Sequence, residues 1–329
     1  MASGTTTHLV RVVALRVTRL AAVLLVVSAL CFLSLNLLPG DPAHAILGVA
    51  GSSPEAVEAL RHQLGLDQPL LTRYLSWLGH ALTGDLGRSY TSGRPVSSII
   101  GQTVPVTIEL IVLSQVLALV FAVPFAALAA ARRGSVTDRV VGLGVFGALS
   151  TPSFVIGFLL IYVFAVRLQL FPATGFQPWS EGPALHFGSL MLPAVSLAAA
   201  PFALYQRVLR ADLVETYGQE FIAVARAKGI SPARIAFRHA LRPSLLGLTT
   251  SVGVTVGTLI GADVIVESMF GLPGLGLELS QAVNNRDYVE VQGIVLVIAT
   301  AFVLINALVD VCYTVLDPRL RSRSRSAVR

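Results

Sequence analysis

Asp263, Glu267 and Asp310 stand in or at the edge of otherwise apolar stretches, as does Glu109 near the start of another. An ionisable side chain is costly in a bilayer, so each is a functional candidate by default. Asp263 and Glu267 lie four residues apart, on one face of a helix. They are candidates to line a path for a cationic group, or to carry ions or protons; the alternative is that they pair with Arg286 or cap loops. His44, His62, His80 and His186 are the other candidate ligands, but no i,i+4 pair or His-x-His spacing supports a metal site. Cys31 and Cys312 both fall in apolar runs and offer neither a disulfide framework nor ligand spacing. No Ser/His/Asp constellation or His-Glu-x-x-His motif points to hydrolysis. A phosphate-binding loop of the Gly-x-x-x-x-Gly-Lys-Ser/Thr type is excluded, because the single lysine, Lys228, precedes Gly229. The chain therefore reads as a non-enzyme, without a cofactor of its own, whose energy comes from a partner or a gradient.

The elements around these residues are membrane spans. The 329 residues are 54% hydrophobic and 13% charged, against about 25% charged in a soluble domain. Six segments reach the roughly 20 apolar residues a span requires: 20–38, 105–131, 140–166, 189–206, 244–266 and 291–316. Leu20 to Leu38 is too long for the hydrophobic part of a cleaved signal peptide and is read as an uncleaved first span. The net charge of +6 comes from arginine plus one lysine. Three of these cations precede the first span, three lie at 132–139, seven at 207–242 and five in the tail, against six elsewhere. The positive-inside rule then places both termini in the cytoplasm and leaves 39–103, 168–188 and 268–290 outside. The same rule accounts for the basic tail better than nucleic-acid binding does.

The 39–103 segment is expected to be ordered. Ser52 or Ser53 with Pro54 and Glu55 starts a helix that carries Val57, Leu60 and Leu64 on one face and stops at Gly65. Pro69 to Leu82 forms a second amphipathic helix, its apolar face made by Leu71, Tyr74, Leu75, Leu78 and Leu82. Those faces pack on the membrane domain or lie in the interface; the other reading is a cap near an external partner. Pro124 and Pro152 fall inside spans, as ordinary kinks or as bends around a pore. Gly253, Gly257 and Gly261, spaced by four, form a close-packing face, either within the chain or against a second subunit.

The stretch Tyr217–Pro243 carries Arg226, Lys228, Arg234, Arg238 and Arg242 with Glu220 as its only acid. It reads as a helix from Glu220 to Lys228, a C-terminal glycine at 229, and a second helix from Pro232 to about Leu241 capped by Ser231. A basic helix-glycine-helix module between two spans is suited to touch something on the aqueous side.

This stretch resembles the cytoplasmic coupling loop of ABC importer permeases. Aligned on Gly229, the general Glu-Ala-Ala pattern of that loop meets Ala223, Val224 and Ala225, and its distal half meets His239, Leu241 and Arg242. The local wording, ARAKGIS then RHALRPS, is similar to the oligopeptide/dipeptide and nickel branch. LPGDPA, the run LGLDQPLLTRYLSWLGHALTGDLGRSYTSGRPV, RRGS with Asp138–Arg139, Ser150–Phe154 and ESMFGLPGLG from Glu267 resemble the same branch. The resemblance implies an all-α membrane protein with six transmembrane helices of the type I importer kind. Its parts are a cytoplasmic N-terminus (1–19), a first helix (20–38), an external helical loop (39–103), a five-helix core (104–316) and a basic tail (317–329). The core contains the coupling loop 207–243, whose contact residues are Glu220, Ala223, Ala225, Arg226, Ala227, Lys228, Gly229 and Ser231. It further implies a second permease subunit, one or two ATPase subunits that hold ATP and magnesium, an external substrate-binding lipoprotein, and short peptides as cargo at the cytoplasmic membrane. Asp263, Glu267 and Asp310 would then favour a peptide's cationic amino terminus. Nickel or haem as cargo, or a gradient-driven carrier using those three carboxylates, are the alternatives.

Overall fold

The computed structural model describes residues 18–33, 53–63 and 67–316. Among them the secondary structure is helical, with no strand and one isolated antiparallel bridge between Arg88 and Pro95. Apolar runs of this length favour the outcome, since a backbone in hydrocarbon must satisfy its own N–H and C=O groups and a helix does so within one segment. The helices are α1 (Thr18–Leu33), α2 (Pro54–Gln63) and α3 (Leu70–Leu82), α4 (Val96–Ala131), α5 (Val136–Ser150) and α6 (Ser153–Leu160). After them come α7 (Pro183–Tyr217), α8 (Glu220–Ala227), α9 (Leu241–Phe270), α10 (Leu275–Asn284) and α11 (Tyr288–Leu316).

Among the described residues four helices are long and apolar enough to cross a membrane: α4, α7, the Gly247–Phe270 part of α9 and the Tyr288–Val309 part of α11. The third expected span is not one straight helix. Val136–Ser150 and Ser153–Arg167 meet at a bend of 108°, and together they make a fifth candidate. Pro152 causes the break: Thr151 before it is extended at φ −104°, ψ 123°, because proline's ring disfavours helical geometry in the preceding residue. Beyond α6 the chain winds as a π-helix over Ile161–Arg167. Of the first expected span, α1 covers Thr18–Leu33; positions 34–38 lie outside the described residues. Spans two and four extend past their expected ends, to Val96 and to Tyr217.

The chain forms two compact units. One holds the described residues up to Pro105 together with Gly274–Leu304, the other Val106–Pro273 with the described residues from Ile305. In the first unit, Leu86, Val96, Ile100, Leu275 and Ile294 make a small core. Phe32 of α1 packs on Tyr74 and Trp77 of α3, with ring centroids 5.5 and 5.9 Å away. Ser53 accepts a capping bond from the Ala56 N–H at 3.2 Å, as expected. Val57 is buried, whereas the expected stop at Gly65 lies outside the described residues. The apolar face of α3 is covered only in part: Tyr74 and Leu78 are half-buried, whereas Leu71, Leu75 and Leu82 are 68%, 56% and 81% exposed. Asp287 pins the turn ahead of α4, accepting from the Ser89 hydroxyl at 2.7 Å and the Thr91 N–H at 2.9 Å. Burial pushes the neighbouring Tyr90 phenol above its usual pKa, and the Asp287 charge adds to that.

In the second unit, α4 presents Ala118, Ala122, Ala126 and Ala130, all buried, to Tyr205, Leu209 and Leu213 of α7. Small residues four apart let two helices approach closely, where lipid offers no hydrophobic drive. A buried polar tie orders the middle: the Tyr205 hydroxyl donates to Gln115 Oε1 at 2.6 Å and also meets Thr255 Oγ1, joining α4, α7 and α9.

Candidate functional site

The segment from Gly218 to Ala240 is built on the ends of α4 and α7. The amphipathic period of α8 turns Ile222 and Ala225 inward, where they are 0% and 6% exposed and join the core with Leu209, Leu213 and Ala126. Its end is a Schellman motif. The Ile230 N–H reaches Ala225 O at 3.2 Å and the Gly229 N–H reaches Arg226 O at 2.9 Å, which satisfies carbonyls the helix leaves open. Gly229 has φ +70°, the left-handed value this motif requires, and nothing lies within 4 Å of where its Cβ would be. The expected residue pattern is thus present in the backbone, while two details differ. Ser231 precedes Pro232 but makes no side-chain capping bond. The second helix is not separate: after one turn at Pro232–Arg234 the chain winds as a π-helix over Ile235–Ala240 and runs straight into α9. The physical consequence is continuity, because a push on this segment is a push on the start of α9.

Of the residues expected to make contact, Ala225 is buried and belongs to the seat. Glu220, Ala223, Arg226, Ala227, Lys228, Gly229 and Ser231 are exposed. Sequence reasoning missed three exposed apolar residues beside them: Phe221 (48%), Val224 (52%) and Phe237 (60%). Phe221 and Val224 are three apart, on a flank of the helix about 100° round from Ile222 and Ala225, and that period was the signal available. A second anchor was also missed. Arg210 on α7 grips Asp138 at the start of α5 with two bonds of 2.7 Å, a bidentate charge-assisted pair, and Asp138 also accepts the Gly134 N–H at 2.9 Å.

The intramembrane carboxylates sit apart from this segment. Asp263 and Glu267 are 1% and 0% exposed. The Thr107 hydroxyl of α4 donates to Glu267 Oε1 at 2.6 Å, so Glu267 braces α9 on α4. Neither lines an open surface within the unit. Arg286 is exposed, on a left-handed backbone at φ 56°. Asp310 belongs to α11, but its side chain, like that of Cys312, lies outside the described residues. Within the chain only part of the glycine stripe is covered. A Cβ on Gly253 would fall 2.5 Å from Val309 Cγ1 of α11, Gly257 is buried, and Gly261 is exposed with open space around it. Steps of four residues rotate about 40° each on a helix, so the stripe turns from an internal contact to the surface.

His186 is fully buried rather than presented to the aqueous side. Nδ1 lies 2.7 Å from Gln177 O and Nε2 lies 2.7 Å from Glu109 Oε1, with Trp179 stacked on the ring at 4.2 Å. It ties the loop before α7 to α4. His80 Nδ1 is 2.8 Å from Ser76 O, and His62 stands 3.6 Å from Asp67. His44 lies outside the described residues. Among the described residues no group of three or more His, Cys, Asp or Glu side chains could hold a metal ion.

Comparison with known proteins bears on this arrangement. Residues 122–322 match the family described as binding-protein-dependent transport system inner membrane component, and residues 9–111 match the N-terminal family of the same transport components. A relative from Brucella abortus (strain 2308), described as a peptide transport system permease protein, is 40% identical over 307 residues, covering 93% of this chain and 97% of its own. The glutathione transport system permease protein of Escherichia coli (strain K12) is 36% identical over 306 residues, with the same coverage of 93% and 97%. Among solved structures, an inward-facing form of the MetNI methionine ABC transporter aligns with a TM-score of 0.54 at 21% identity, covering 67% of this chain and 96% of the other. That likeness concerns the fold.

Proposed function

The chain belongs to the family of binding-protein-dependent transport system inner membrane components, and from that premise we propose that it is the permease subunit of an ABC importer that moves short peptides across the cytoplasmic membrane. The names of the relatives, a peptide permease and a glutathione permease, favour a peptide over nickel or haem. In this reading the chain crosses the membrane six times with both termini in the cytoplasm. It works beside a second permease, takes substrate from an external binding lipoprotein, and leaves ATP hydrolysis to separate ATPase subunits.

The observation that carries the mechanism is the seating of α8. One face, Ile222 and Ala225, is buried on α4 and α7, while the flank beside it exposes Phe221 and Val224 with Arg226 and Lys228. A seated helix that leaves apolar side chains exposed on its flank is a contact for a second protein. Its distal end continues through Ile235–Ala240 into α9. Closure of the ATPase pair against α8 would therefore tilt α9 against α4 and α7, changing the side from which the path opens.

The test is a cross-link joined to a transport assay. Ala227→Cys should form a disulfide with a cysteine placed in the surface groove of the ATPase subunit, and locking it should stop uptake of labelled di- to pentapeptides. Single cysteines at Ser92 and Ser231 should label from outside and from inside, respectively. Labelling of Ser231 by an impermeant reagent in intact cells would overturn the proposed orientation. Absence of any ATPase cross-link to α8, with transport intact, would remove it as the coupling element.

A further inference from the structure

Beneath the α8 loop lies a cavity of about 510 Å3, within the range of roughly 300–1,000 Å3 typical of small-molecule sites. Its floor is apolar, formed by Val214, Tyr217, Ile230 and Ile235, and two guanidinium groups, Arg133 and Arg226, complete the lining with no carboxylate among them. Neither arginine makes an ion pair among the described residues. Asp138, whose charge Arg133 acts on, is already held by both arms of Arg210. Two cations without partners beside an apolar floor call for an anion with an apolar body.

The placement narrows the source of that anion. The cavity opens where α4 ends at Ala131 and α7 ends at Tyr217, the ends of two helices long enough to cross a membrane. The apolar run of α4 reaches Ala131 and is followed by Arg132 and Arg133, the sequence pattern of a span meeting the headgroup region. Along α4, Phe121, Phe125 and Leu128 are 50%, 41% and 40% exposed. Their spacing of four and three places them on one helical face that leads to Ala131, itself part of the cavity wall. We infer that this cavity holds the phosphate of an anionic phospholipid between Arg133 and Arg226, with an acyl chain lying along Phe121, Phe125 and Leu128. The inference rests on α4 and α7 crossing the membrane; it does not depend on which leaflet the loop faces or on the cargo. A lipid there would brace α8 against α4 and make its seating sensitive to membrane composition.

Native mass spectrometry of the full-length chain released from detergent tests this. Titration with phosphatidylglycerol should show one tightly retained lipid, and phosphatidylcholine should not replace it. An arginine near an anionic surface contributes about 1 kcal/mol, so Arg133→Gln with Arg226→Gln should weaken retention roughly thirtyfold. The matched pair Arg238→Gln with Arg242→Gln, outside the cavity, should leave it unchanged. Ile230→Trp keeps both charges and fills the floor, so it should also lose the lipid; helicity and elution volume show that each variant is folded. Equal loss in both double variants would show a diffuse charge effect and overturn the site. Displacement by inorganic phosphate at the lipid's own concentration would overturn the lipid assignment in favour of a soluble anion. Expulsion of the lipid on binding of the ATPase subunit, with Ala131→Cys then shielded from a thiol reagent, would show that the cavity belongs to the protein contact. Failure of the Ala227→Cys cross-link would leave the lipid result standing, so the two readings fail separately.

Discussion

The turn at 85–95 and the loop at 217–241 both reverse the chain on a left-handed glycine, yet they are held by opposite means. Gly87 has φ +84°, and a Cβ there would fall 2.8 Å from Val289 Cγ1. Around it directional bonds converge: Asp85 accepts the Gly87 N–H at 3.0 Å, and the buried Asp287 takes the Ser89 hydroxyl and the Thr91 N–H. Gly229 has φ +70° with open space around it, and its loop rests on Ile222, Ala225 and Ile235. Directional bonds fix a turn in one geometry, since each breaks steeply with angle. Apolar contact is non-directional, so a body resting on it can shift without losing the contact outright. The first turn is fixed by directional bonds, and the second is seated on apolar contact.

Substitutions can break this contrast, beginning with the largest effect. Asp287→Ala orphans the Ser89 and Thr91 donors and the Glu290 N–H, which lies 3.1 Å from Asp287 Oδ1; at about 1–3 kcal/mol for each buried orphan, the loss should be about 4 kcal/mol. A lowered unfolding midpoint in detergent, with cleavage between Tyr90 and Arg94 by added protease, is the expected readout. Resistance to the protease would mean the turn is held by something other than Asp287.

Gly87→Ala should follow, at about 2–4 kcal/mol, because it combines left-handed strain with a clash against Val289. Gly229→Ala carries the strain alone and should cost about 1 kcal/mol. The comparison fails if the two lower the midpoint equally. Gly229→Val should remain inserted and still bind the external partner, yet lose uptake and the stimulation of ATP hydrolysis by loaded binding protein. Wild-type uptake by Gly229→Val would show that the angle at this glycine does not transmit motion.

Phe221→Ser gives the smallest stability effect and the sharpest separation of roles. Phe221 is 48% exposed, so the midpoint should move by less than about 0.5 kcal/mol. Co-purification of the ATPase subunit should nevertheless drop severalfold. A large stability loss with the complex intact would place Phe221 in the fold and not in the contact.

Much of this architecture is legible in the amino-acid order. Helix propensity is irrelevant to an apolar run in lipid, where backbone satisfaction alone selects a helix, so the positions of the spans follow from hydropathy. The break at Pro152 and the left-handed Gly229 are local steric facts, and Ser53 caps its helix through neighbours three residues away. The order of residues excludes a Gly-x-x-x-x-Gly-Lys-Ser/Thr loop, because the one lysine has a glycine after it.

What the order could not reveal depends on groups distant in the chain. The 108° between α5 and α6 and the uninterrupted run from Ile235 into α9 are set by packing, which decides how far a local break bends the path. Burial of His186 against Glu109, 77 residues away, turned a candidate ligand into a tie. Thr107 reaching Glu267 across 160 residues did the same for a candidate path residue. The glycine stripe from 253 to 261 divides between an internal contact and open surface because helical rotation carries the spacing past the width of one neighbour. Which face of α8 is seated and which is free also waits on α4 and α7, because an amphipathic period states that two faces exist and only the neighbouring helices decide which one is covered.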